Sequence, residues 1–142
     1  MTREDRKKQA EELDRQAWEK WKNLLSQEGE YLDEGGYPTE LACDIIKHWH
    51  WSDQEGWFEF IKNIWHLASW GWHEEYGGYD DYLKEPLKED KKRYYISTAG
   101  WSGNETLIGA MKENPMLWHL TWVQSRRGGH YIFELYGIRE DL

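Results

Sequence analysis

Two short segments carry the residue types that hold anions. Residues 124–131 read QSRRGGHY, and residues 99–106 read AGWSGNET. In the first, Arg126 and Arg127 precede Gly128 and Gly129, a pair suited to a hairpin turn with positive φ. A guanidinium offers a planar fork of donors that fits phosphate or carboxylate and stacks on rings. Neighbouring strand residues point to opposite faces, so the two arginines need not serve one ligand. In the second segment, Gly100 and Gly103 allow close backbone approach. Ser102 or Asn104 can cap a helix, and Glu105 closes a capping box if Ser102 is the cap. A helix start leaves free N–H groups and a partial positive charge, which suit phosphate. The spacing fits neither a Walker A loop nor a dinucleotide fingerprint, and a well-capped helix alone would also explain it. If the two segments meet, Trp101, Ser102, Gly103, Asn104, Glu105, Arg126, Arg127 and His130 form a pocket for a phosphorylated aromatic compound, such as a nucleotide. Sequence alone does not fix whether they meet.

Other chemistry is less well supported. His48 and His50 are two apart near a helix end, so they point to different faces and do not share a metal. His66 and His73 have no partner at a fixed spacing. His119 and His130 are expected on the two strands of one hairpin, facing each other or a ligand. Glu74-Glu75 and Asp80-Asp81 match no EF-hand spacing. Ser102 has no glycine two residues after it, so a nucleophile elbow is matched only loosely. No cofactor is expected, and a binder is favoured over an enzyme.

The elements that must position these groups divide into two regions. Residues 1–30 read as a charged amphipathic helix with Ala10, Leu13, Ala17, Trp21 and Leu24 at three- and four-residue steps. It is expected to pack on the domain, with its first two turns in solvent or against a partner. Residues 31–142 read as one α+β domain. Within it, 39–68 is a helical hairpin, with Pro38 in the first turn and Ser52 capping the second helix. Residues 69–92 form an irregular connection rich in rings, a candidate lid or an ordered arm across the sheet. Residues 93–137 form a strand, an inserted helix over 105–114 and a hairpin. In that hairpin, 116–125 alternates as a strand with Trp118, Leu120 and Trp122 on one face. The fold class is therefore α+β, with helices first and a small antiparallel sheet last.

Composition narrows the partners. The chain has 142 residues, eleven Trp, nine Tyr and a net charge of −9. So many rings cannot all be core, because each indole N–H and phenol O–H needs a partner. Some should line a groove or a contact. Residues 31–90 hold fourteen Asp/Glu against four Lys/Arg, whereas residues 91–142 hold seven Lys/Arg against five Asp/Glu. Bulk binding to nucleic acid or anionic membrane is disfavoured, but a local basic site in the last third is allowed. Cys43 is the single cysteine, which fits a reducing, cytoplasmic setting. No apolar run approaches the length of a membrane span.

Ser97–Glu105 (STAGWSGNE) and Ser125–Tyr131 (SRRGGHY), with Gly36–Glu40 (GYPTE) and Trp70–Glu75 (WGWHEE) upstream, resemble a family of small bacteriophage and prophage proteins. In that family the first motif reads S-T-G-G-W-S-G-N-E, so Ala99 stands where glycine is usual. The resemblance covers roughly residues 36–136 and implies a viral setting in a host cytoplasm, without a mechanism. The leading expectation is a small-molecule binder that captures a nucleotide-like ligand and could sequester a host antiviral signal. An acidic mimic of nucleic acid that inhibits a host nuclease comes second. A phosphoesterase using His130 or His119 with the arginines comes third. A host protein and a second copy of the chain are further candidate partners.

Overall fold

The chain enters its first helix through a reciprocal cap. Thr2 Oγ1 accepts from the Asp5 N–H at 3.1 Å, and the Thr2 N–H donates to Asp5 Oδ2 at 3.2 Å. The computed structural model describes residues 1–136; the expected ends of the hairpin unit at 137 and of the domain at 142 lie outside the described residues. Helix α1 (Arg3–Ser26) is exposed from Arg3 to Lys20, and Trp21 is its one buried side chain. Ala10, Leu13 and Ala17 therefore do not pack as their spacing predicts. Trp18 and Trp21 instead meet the turn after the second helix: Trp18 lies 4.6 Å from the His50 ring and Trp21 lies 4.9 Å from Trp49. His50 bridges Asp14 Oδ1 at 2.8 Å and Ser52 Oγ at 2.7 Å.

Helices α2 (Glu40–His48) and α3 (Gln54–Asn63) form the expected hairpin. Its caps differ by a residue or two. Pro38 lies in an extended bridge with Leu32, and Thr39 is the cap of α2. Asp53, not Ser52, caps α3, because its carboxylate reaches the Gly56 N–H at 3.0 Å while Ser52 is drawn to His50.

A short helix α4 (Ala68–Gly71) leads into strand β1 (Trp72–Tyr76). A two-stranded arm follows, β2 (Tyr79–Asp80) and β3 (Glu85–Pro86), then strand β4 (Lys92–Ser97). The segment 69–92 is thus structured, not irregular. Helix α5 (Ser102–Lys112) starts three residues before the expected Glu105, and a second short helix, α6 (Pro115–Thr121), follows it. Strands β5 (Trp122–Arg126) and β6 (His130–Glu134) complete the main antiparallel sheet, ordered β1-β4-β6-β5.

The sequence 116–125 is therefore helical up to Thr121 rather than a strand throughout. Asn114 decides this: its Oδ1 accepts from the Leu117 N–H at 3.2 Å, and Pro115 occupies the first helical position. Its amide also donates to Ile46 O and Trp49 O, both at 3.0 Å, which ties α6 to the end of α2.

Helices cover one face of the sheet. Phe58 of α3 stacks on Tyr94 of β4 with centroids 4.1 Å apart, and Trp57, Ile61, Leu107, Met111 and Phe133 are fully buried around them. Burying such side chains contributes about 1.5–3 kcal/mol each, so this face anchors the sheet. Trp57 Nε1 donates to Ile46 O at 3.1 Å, meeting the demand that a buried indole makes. The opposite face stays open except where the β2–β3 arm crosses it.

Candidate functional site

Register defines the open face. Alternate residues of each strand point to it, and they fall into three rows across the sheet. The middle row runs His73, Tyr95, Ile132, Gln124, taken from β1, β4, β6 and β5 in spatial order. On the side of the β5–β6 turn lie Ser97, His130 and Arg126. Toward the arm lie Glu75, Arg93 and Glu134. The pairing shifts by one residue between Trp122 and Gln124, which leaves Val123 as a bulge and restores Gln124 and Arg126 to this face.

Two adjoining hollows occupy the face. One, of about 860 Å³, lies toward the arm and is bounded by Tyr79, Tyr82, Leu83 and Trp122. The other, of about 550 Å³, lies toward the turn and is bounded by Trp70 and Tyr131. They share His73, Tyr95, Arg126 and Ile132, so together they make one groove over the sheet.

A buried ion network fastens the arm to the groove. Arg93 is buried; its Nη2 donates to Asp80 Oδ2 at 2.7 Å and its Nε to Glu134 Oε1 at 2.9 Å. Asp80 Oδ1 accepts from the Tyr82 and Leu83 N–H groups at 2.9 and 2.8 Å. The Leu83 N–H, and then the Arg93 guanidinium, hold the Asp80 carboxyl below its ordinary range. These groups satisfy one another and leave Arg93 little capacity for a ligand.

Arg126 is differently placed. It is exposed, donates through Nε to Gln124 Oε1 at 3.2 Å, and meets Asp81 of the arm only at 3.8 Å. It is paired directly across from His130. Ser97, the other neighbour of His130, has a buried Oγ with no hydrogen-bond partner. A guanidinium, an imidazole and an unused hydroxyl thus lie in one row, beside the Tyr95 ring.

The Gly128-Gly129 turn meets Thr98, the residue that leads into AGWSGNET. The Thr98 N–H donates to Gly129 O at 3.0 Å, and a Cβ on Gly129 would fall 2.3 Å from Thr98 Oγ1. Gly128 and Gly129 have φ of 95° and 80°, as a glycine turn requires. The side chains of the two segments diverge, however. Arg126 and His130 line the groove, whereas Arg127 sits exposed in the turn outside it. Trp101, Ser102, Gly103, Asn104 and Glu105 do not line it either. Trp101 packs its ring on Tyr37 at 4.8 Å and on His66 at 4.6 Å. Gly103 makes room for that indole, since a Cβ there would lie 2.5 Å from Trp101 Nε1. Ser102 Oγ donates to Tyr37 Oη at 3.3 Å, and Glu105 is exposed. Asn104 is buried and binds the His66 N–H and carbonyl, both at 2.9 Å, and the Thr98 carbonyl at 3.3 Å. The helix carries no side-chain cap from either Ser102 or Asn104. His119 lies on α6, not across a hairpin from His130.

Sequence reasoning missed Tyr95, His73 and Glu75 as groove residues; the arm corresponds to one of its two readings of 69–92. The alternation of Arg93, Tyr95 and Ser97 was the available signal for the face of β4. Among the described residues, no group of three or more His, Cys, Asp or Glu is placed to hold a metal ion. No helix of the described residues is long and apolar enough to cross a membrane. No protein-family model matches the chain, and neither curated proteins nor solved structures give a match.

Proposed function

We propose that the open face of the sheet binds a small phosphorylated, nucleotide-like ligand. The observation that carries this reading is the cross-strand pair Arg126–His130 at one end of a groove floored by Tyr95. The guanidinium and imidazole supply donors for phosphate oxygens, and the Tyr95 and Trp70 rings offer surfaces for a base. The hydroxyl beside His130, that of Ser97, is buried and bonded to no base, so capture without turnover is favoured. In the bacteriophage setting that the motif resemblance implies, such capture would withdraw a host nucleotide signal from antiviral defence.

The test is a melting-temperature screen with mononucleotides, cyclic dinucleotides, NAD and ADP-ribose, on the wild type and on Arg126→Ala. A ligand at a hundred times its Kd adds roughly 2.7 kcal/mol, or about 5–10 °C for a chain of this size. A shift lost in Arg126→Ala supports the reading, and no shift with any compound sinks it. An acidic decoy for a cationic host protein is the second reading. It is favoured by the exposed Asp81, Glu85, Glu89 and Asp90 on and beside the arm. Salt-sensitive capture of a basic protein by a chain that binds no nucleotide would select it.

A further inference from the structure

The groove is electrically lopsided. The row nearest the β5–β6 turn offers Arg126 and His130 and no carboxylate. The row nearest the arm offers Glu75, Arg93 and Glu134, joined there by Asp80. Arg93 balances Asp80 and Glu134 through bonds of 2.7 and 2.9 Å, which takes both carboxylates out of play. Glu75 remains. Its Oε2 meets His73 Nε2 at 3.0 Å, and its side chain is only partly buried. From Glu75 to His130 the face spans two strand spacings across and four residues along, about 10 Å by about 14 Å. Tyr95 lies between them. Glu75 reaches the middle row at His73 and Arg126 reaches it at Gln124, which leaves room for one extended molecule with a flat middle.

Resting on the reading of the groove as a nucleotide site, we propose that its ligand is a nucleotide whose base carries an exocyclic amino group. The phosphate lies at Arg126 and His130, and the base lies over Tyr95. The amino group donates to the Glu75 carboxylate. A base lacking that amino group covers the Glu75 carboxylate without bonding its second oxygen, leaving it only the His73 contact, a loss larger than the gain from making the bond. A site built to hydrogen-bond an N–H rejects the analogue without it for this reason. Asp81, at 3.8 Å from Arg126, occupies the phosphate end when the groove is empty, and the ligand anion displaces it.

Calorimetric titration tests this with two pairs of probes that differ only by the amino group: AMP against purine riboside 5′-monophosphate, and GMP against IMP. The amino member of at least one pair should bind about ten-fold more tightly to the wild type. In Glu75→Ala the preference should vanish while the partner lacking the amino group keeps its affinity. Equal binding within both pairs, or a preference that survives Glu75→Ala, overturns the amino-group assignment and leaves the groove a nucleotide site. Failure of all four to bind overturns the amino-group assignment, and failure of every compound in the melting-temperature screen overturns the nucleotide site as well.

Discussion

Ala99 occupies a backbone conformation that suits glycine. Its φ is 55°, and Gly100 beside it has φ 71°. The left-handed region costs a residue with a Cβ roughly 1–2 kcal/mol. Ala99→Gly removes that strain but gives the unfolded chain more freedom, which takes back about 0.4–1 kcal/mol. The substitution should stabilise the fold by about 0.5–1 kcal/mol, read as a rise of a few degrees in Tm. The turn is held from both sides, by the Thr98 N–H on Gly129 and by Asn104 on the Thr98 carbonyl, which is how the strain is tolerated. Single residues also show where sequence reading stops. Arg126 and Arg127 are identical in type and adjacent, yet one lines the groove and the other sits in the turn. The period-2 rule anticipates that split, but it does not say which arginine faces the ligand. That depends on the turn taking in Arg127 with Gly128 and Gly129, so that Arg126 pairs with His130, and a Gly-Gly pair alone does not fix the turn's length.

The β2–β3 arm is an element held by charge more than by apolar burial. Tyr79, Tyr82 and Leu83 are largely exposed, while Asp80 and Arg93 are buried beneath them. The Asp80 carboxyl is depressed in the folded state, so its contribution is complete above the ordinary Asp pKa of about 3.9 and is lost as pH falls through the lower folded value. The arm should resist pepsin near pH 5 and become cleavable toward about pH 2, before the helical core opens. Arg93→Met should make the arm labile at neutral pH, with cleavage faster by about ten-fold or more, because it strands Asp80 and Glu134 without their cation. Cleavage that is the same at both pH values, and unchanged in the variant, would mean that the arm is held by something else. An arm over the sheet was one of two readings of 69–92, but its strands were not legible because each is two residues long and carries an acid. Strand β1 was hidden in a similar way: Glu74 faces the helical side, where Lys92 and Lys62 meet it at 3.0 and 3.3 Å. Helix α6 was legible in principle, since Asn-Pro marks a cap followed by the first helical position. The alternation of Trp118, Leu120 and Trp122 competed with that signal and, read alone, favoured a strand.

At the scale of the whole molecule, the order of helices before sheet was readable from periodicity, as was the α2–α3 hairpin. The groove was not, because it joins the β5–β6 hairpin to β1 and β4, which lie far upstream in sequence. Its pairing β4–β6 joins residues separated by two intervening helices. The layout also divides the chain by its need for α1. Residues 1–12 are exposed throughout, and the contacts of α1 begin with Asp14 and end in the Trp18–Trp21 cluster. Removing residues 2–12 should leave stability within about 0.5 kcal/mol and leave nucleotide binding unchanged, by denaturant titration and calorimetry. A larger loss would place a partner or a second copy on that segment.

The distribution of indoles gives the molecule its own optical reporter. Trp57, Trp65 and Trp72 are sealed in the interior, whereas Trp70 and Trp122 stand at the groove, 68% and 44% exposed. Emission from the sealed set should be blue and shielded from iodide, and emission from the groove pair should be red and quenchable, above a constant red background from Trp51 and Trp18 outside the groove. A ligand settling over Tyr95 would dim the red component alone, so occupancy could be followed in the unlabelled protein, at the speed of light detection rather than of heat flow.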